Sequence, residues 1–200
     1  MEGPHVKFST RELRDLFLAW LALGLAFALF FQRVSPAYLP EFIASTAFVT
    51  AMVVSLVTVG VGFLLHELAH KVVAVHFGQH AEFRADYKFL AFAIAGGLVG
   101  FIFAAPGAVY HRGRLTDAQH GLIAAAGPLT NLGLAVLFAP LWYVSPLIAE
   151  RGVQINLLLA GFNMLPVGGL DGSTVRKWST PIYFAIAVPS ILLGASVIFL

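Results

Sequence analysis

Residues 51–70 read AMVVSLVTVGVGFLLHELAH. An apolar run long enough to enter a bilayer leads straight into His66, Glu67, His70 and Lys71. This conjunction decides the fold class. Ionisable groups within a membrane segment are costly, and they mark functional sites by default. On a helix, positions i and i+4 stand on one face, so His66 and His70 can hold one ion together. Glu67 lies beside them, placed to take a proton from a metal-bound water. The blander alternative is a chance H-E-x-x-H pattern whose histidines are satisfied by packing or solvent. The apolar setting weighs against it.

Composition extends the membrane reading to the whole chain. Hydrophobic residues make up 59% of the 200 residues and charged residues 11%, against roughly 45–50% and about 25% in ordinary globular proteins. So few charges cannot cover a soluble surface, and lipid must solvate much of the chain. The net charge of +2 and the absence of any basic run longer than two residues give no support to nucleic acid as a partner. There are no cysteines, so any metal must be held by His, Asp or Glu. The N-terminus lacks the pattern of a cleaved signal peptide, and Leu16–Phe31 is expected to remain as a first span. The apolar run still open at Leu200 is compatible with a natural continuation.

Five stretches are long and apolar enough to cross a hydrocarbon core, which takes about 20 helical residues: 16–34, 43–65, 121–144, 152–170 and 181–200. A sixth, 89–110, carries Gly96, Gly97, Gly100, Pro106 and Gly107. It is either a helix or two short legs that enter and leave on one side. Charge chooses between them, because Lys and Arg accumulate in cytoplasmic loops. If 89–110 does not cross, Lys7, Arg11, Arg14, Lys71, Arg84, Lys88, Arg112, Arg114, Arg176 and Lys177 share the cytoplasmic side, and only Arg33 and Arg151 lie outside. If it crosses once, the bias nearly vanishes. The expected topology therefore has the N-terminus inside, five crossings and one re-entrant element.

A catalytic zinc site needs a third protein ligand and an open fourth position. Asp171 is the other carboxylate at the end of a span, in Asn163-Met164-Leu165-Pro166-Val167-Gly168-Gly169-Leu170-Asp171-Gly172. Pro166 and the glycines end regular helix there and leave Asp171 on backbone that can turn toward a metal. Taken alone, an Asp-Gly turn at a helix end accounts for it as well. In the five-crossing topology, however, His66, His70 and Asp171 all lie near the cytoplasmic face. With 89–110 as a span, Asp171 would emerge on the opposite side.

Three pieces of sequence now stand together: HELAH at 66–70, Gly127-Pro128-Leu129-Thr130-Asn131, and Asn163-Met164-Leu165-Pro166 leading to Leu170-Asp171-Gly172. With the order of the apolar stretches, they resemble the site-2 protease family of intramembrane zinc metalloproteases over most of 43–175. The resemblance implies an all-α polytopic membrane protein forming a single domain over 1–200. It has five to six transmembrane helices, with a glycine-rich re-entrant or short β element between the second and third crossings. It implies one zinc ion per chain held by His66, His70 and Asp171, with Glu67 as the catalytic carboxylate. Asn163 matches an asparagine expected to hold substrate or the developing oxyanion. The implied substrates are transmembrane segments of other membrane proteins, and the implied location is the cell membrane, multi-pass, with the active site toward the cytoplasm. One departure is visible: where the family often has a second proline before the Asp, Gly168-Gly169 stands here.

Two other functions fit less well. A zinc-binding chaperone or interaction partner would not need Glu67. A metal transporter would place ionisable residues across several spans near the midplane, whereas here they gather at one face. Gly127-Pro128 reads as a place of close helix packing, and Asn131 as an interhelical hydrogen bonder with a lesser claim to catalysis. His76 and His80 read as a wet interfacial pair, and His5, His111 and His120 as loop or interface residues. Nothing in the sequence names the substrate or the oligomeric state.

Overall fold

The computed structural model of the chain describes residues 5–101 and 106–199. It is mostly helical. Helix α1 (Thr10–Gln32) begins at the N-cap Ser9, whose hydroxyl accepts from the Glu12 backbone N–H at 3.1 Å. After a 3-10 turn (Pro36–Tyr38) and the short α2 (Leu39–Ile43), α3 (Thr46–Ser55) runs through a π-helical turn (Leu56–Gly60) into α4 (Val61–His76). The wide π turn leaves the Leu56 carbonyl free to accept from the Trp20 indole N–H at 3.0 Å, which ties α4 to α1. Strand β1 (His80–Ala85), helix α5 (Tyr87–Leu98) and strand β2 (Gly107–Arg112) follow. Next come α6 (Asp117–Phe138), opened by a Thr116–Gln119 capping box, a 3-10 turn (Ala139–Tyr143), α7 (Pro146–Asn163), α8 (Asp171–Trp178) and α9 (Thr180–Phe199).

Among the described residues, three helical stretches are long and apolar enough to cross a membrane: Thr10–Gln32, Thr46–His76 and Asp117–Tyr143. They correspond to the expected spans 16–34, 43–65 and 121–144, each with earlier or later ends. The second differs most. HELAH does not end this helix but lies well inside it, and helix continues one and a half turns beyond His70 to His76. The expected fourth and fifth spans are the helices α7 and α9, which do not join that group; the described apolar stretch of α9 is Thr180–Ser196. Regular helix in α7 stops at Asn163, seven residues before the expected end at 170, and residues 164–170 form a chain of turns. Leu200, the last residue of the expected fifth span, lies outside the described residues.

The stretch 89–110 is neither one helix nor a plain hairpin. Residues 102–105 lie outside the described part. On either side of them stand α5, 12 residues long and so only roughly 18 Å from end to end, and β2. Asp86 caps α5 by accepting from the Lys88 and Phe89 amides. β1 and β2 pair antiparallel with His80 opposite Arg112 and Ala85 opposite Gly107. The chain that leaves β1 thus returns beside it.

Two acidic side chains on α1 hold the outer edge of this ribbon. Glu12 Oε1 accepts from the Phe83 N–H at 3.0 Å, and Asp15 Oδ2 accepts from the Ala85 N–H at 3.3 Å. The other Glu12 oxygen pairs with Lys71 Nζ at 2.5 Å, with both side chains almost fully buried. Lys71 also donates to the Lys7 carbonyl and sits 4.0 Å from the centre of the Phe8 ring. One cluster of apolar side chains, including Leu23, Phe27, Val59, Phe63, Phe83, Leu90 and Ile155, joins α1, α4, β1, α5 and α7. A second, including Ala124, Ala125, Met164, Val175 and Tyr183, joins α6 to α8 and α9. The candidate site lies between them.

Candidate metal centre

Helical spacing on α4 puts His66 and His70 on one face, with ring centroids 4.6 Å apart. Their Nδ1 atoms are already engaged. His70 Nδ1 lies 2.7 Å from the Ile123 carbonyl and His66 Nδ1 lies 2.6 Å from Asn131 Oδ1, both on α6. A carbonyl oxygen only accepts, so both rings carry their proton on Nδ1. Both Nε2 lone pairs then point into the site, 2.9 Å from one another.

Asp171 completes the group. The turns 164–170 bring the start of α8 back against the end of α7, and Asp171 Oδ2 lies 3.4 Å from each Nε2. The approach is close enough that a Cβ on Gly172 would fall 2.8 Å from the Leu165 carbonyl oxygen. The Asp-Gly pair is therefore more than a turn: glycine lets α8 begin here, and the Asp is aimed by it. Gly127 does the corresponding work from α6, where a Cβ would stand 2.6 Å from His66 Nε2.

These atoms fit a metal. Two acceptor nitrogens 2.9 Å apart facing a carboxylate repel one another unless a cation lies between them. Asp171 Oδ2 is buried with no hydrogen-bond donor. A tetrahedral zinc ion with ligand bonds of about 2.0–2.2 Å sets its ligand atoms roughly 3.3–3.5 Å apart, close to the 2.9, 3.4 and 3.4 Å found. His66, His70 and Asp171 form the one group of three or more such side chains that could hold an ion among the described residues.

Glu67 is buried beside them, and its Oε2 also lacks a donor. All four side chains open on a cavity of about 620 Å³. Asn163 lies on its wall, but at the end of α7 its Nδ2 donates to the Leu159 carbonyl of its own helix at 2.9 Å. Part of the wall is β2. Because the Phe83 and Ala85 amides turn away from β2 toward α1, their partners Val109 and Gly107 in the antiparallel register turn their own amides away from β1. That free edge borders the cavity, and the Val109 amide interacts with the Glu67 carboxylate.

Asn131, expected as an interhelical hydrogen bonder, bonds across helices and faces His66 Nδ1. Two features escaped the sequence reading. Asn156, a polar residue in the apolar part of α7, backs Asn131. His111 and His120, read as loop or interface residues, stand with ring centroids 5.3 Å apart at the cavity wall. Only the Asn156 signal was visible in the sequence, as a buried-type amide within an apolar helix.

The chain is 39% identical over 193 residues to a protein of Methanocaldococcus jannaschii named "Putative zinc metalloprotease", aligned over 92% of this chain and 93% of that one. The chain belongs to this zinc metalloprotease family. No family-wide profile matches it, and no solved structure does. A metalloprotease has a use for each part of the site: two imidazoles and a carboxylate to hold zinc, and a second buried carboxylate for the proton.

Proposed function

We propose that this zinc metalloprotease cleaves peptide bonds within or beside transmembrane segments of other membrane proteins. The observation that carries the reading is the junction of a His66–His70–Asp171 cluster and a buried Glu67, whose Oε2 has no donor, in a cavity walled by apolar, membrane-length helices. His66, His70 and Asp171 would hold a zinc ion, which would supply an acidified water and a polarised carbonyl there. Glu67 takes the water's proton and later delivers it to the leaving amine. Asn163 has two amide protons, one committed to the Leu159 carbonyl, and the other serves the developing oxyanion.

A transmembrane helix hides its carbonyls in its own hydrogen bonds, so a substrate must unwind before attack. The free edge of β2 supplies replacement partners, since an extended segment can add to an exposed strand edge. Glu12 and Asp15 occupy the edge of β1, which leaves β2 as the edge on offer. The distribution of positive charges supports a site that faces the cytoplasm.

The test is to incubate purified protein with a panel of single-span membrane proteins, with and without a chelator, beside a Glu67→Gln variant. Cleavage should require metal, and Glu67→Gln should keep zinc while losing at least about 10²-fold in rate. Activity within tenfold of the parent would remove Glu67 from the role of base.

A further inference from the structure

The hydrogen bond behind His66 is the last link of a longer chain. Asn131 on α6 and Asn156 on α7 are both wholly buried. An amide can be turned either way round, but here each link permits one orientation. The Gly152 carbonyl only accepts, so Asn156 directs Nδ2 to it at 2.8 Å and presents Oδ1 on its other side. Asn131 must then donate. Its Nδ2 lies 2.8 Å from Asn156 Oδ1 and 3.2 Å from the Gly62 carbonyl. Both amide protons are used, and Oδ1 is left to face His66 Nδ1 at 2.6 Å. α4 comes close enough for this only because residue 62, one turn before His66, is glycine: a Cβ there would fall 2.8 Å from Asn156 Oδ1.

We propose that Asn156 is a positioning residue for the metal centre, which through Asn131 locks His66 with its proton on Nδ1 and its Nε2 lone pair aimed at the ion. The proposal rests on the zinc reading above. His70 gets the same instruction from a backbone carbonyl, Ile123. The His66 arm alone depends on side chains, and its polarity originates at Gly152 on a third helix. In a low-dielectric interior a satisfied polar chain fixes geometry, and a broken one frees it. With Asn156 gone, Asn131 loses one of the two acceptors that hold its Oδ1 toward the ring, and His66 is free to take the other tautomer or turn.

The experiment measures zinc affinity of the detergent-purified full chain by competition with a chromophoric chelator, with thermal unfolding of the zinc-stripped protein as a check on folding. Asn131→Leu and Asn156→Leu should each weaken zinc binding about 10–100-fold, the usual effect of losing an outer-shell partner. The double variant should be no weaker than the worse single one, because both cut the same chain. Asn131→Asp keeps an acceptor opposite Nδ1 and should restore affinity. Ser190→Ala removes an equally buried polar group that is off the chain and should change nothing. If Asn156→Leu does not fold, Asn156→Ala is read in its place. Parental affinity in the folded Asn156 variant, or losses that simply add in the double variant, would overturn the relay while leaving the zinc site standing. A parent chain that takes up no zinc would overturn both.

Discussion

At Gly127 the absence of a side chain leaves room for the imidazole nitrogens of the candidate site, since a Cβ would sit 2.6 Å from His66 Nε2. Gly127→Ala should therefore lose most of its zinc while remaining folded. Gly133→Ala on the same helix, where a Cβ meets nothing within 4 Å, should retain it. Metal analysis of the purified variants decides, and equal zinc in both would mean the site can shift to accommodate a methyl group. Asn163 poses a different question, because the structure commits one of its amide protons to Leu159. If the other serves the oxyanion, Asn163→Ala should lower kcat by about 10²–10³ with little change in KM. A loss confined to KM would make Asn163 a substrate-positioning residue instead.

At the scale of elements, the chain from α1 to β1 and α4 is held by buried charge. Glu12 joins the Lys71 ammonium to the Phe83 amide, and Asp15 joins the Ala85 amide to the Tyr87 hydroxyl, the latter at 2.6 Å. Lys71 follows the last residue of HELAH, so this clamp also fixes α4 just past His70. Removing one partner of a buried pair leaves the other uncompensated, at about 3–5 kcal/mol. Lys71→Met should lower stability by about that amount, and adding Glu12→Gln should recover part of it. Denaturation of the detergent-purified variants is the measurement. No recovery in the double variant would show that Glu12 matters for β1 rather than for the pair.

For the whole molecule, the decisive matter is which loops share a side. β1 and β2 place His80 beside Arg112, and Asp171 meets His66 and His70. A full crossing between them would set Asp171 roughly 30 Å away. The chain has no native cysteine, so Arg84→Cys, Arg112→Cys, Arg151→Cys and Arg176→Cys can be labelled one at a time from either face of a sealed vesicle. Positions 84, 112 and 176 should react together and 151 from the opposite face. Opposite labelling of 84 and 112 would break the proposed five-crossing topology.

What the sequence determined by itself was local or statistical. Two histidines four apart on a helix share a face by helical geometry alone, so HELAH announces a metal pair without any fold. Asp171 was a candidate third ligand as the other carboxylate at a span end, and the threading that gathers ten of twelve basic residues on one side puts it with His66 and His70, although it lies 101 residues from His70 in the chain. Tertiary structure decided what depends on contact between distant segments. The end of α4 at His76 and the stop of α7 at Asn163 follow from packing and turns, which hydropathy does not resolve. Pairing of β1 with β2 requires both edges, and 89–110 read alone showed only apolar residues and glycines. Asn131 reads in sequence as an interhelical hydrogen bonder and Asn156 as an amide in an apolar helix, 25 residues apart and with no sign that they meet. Only when α4, α6 and α7 meet do the fixed polarities of their carbonyls give each amide one orientation and each histidine one tautomer, because a hydrogen bond is directional and a hydropathy pattern is not.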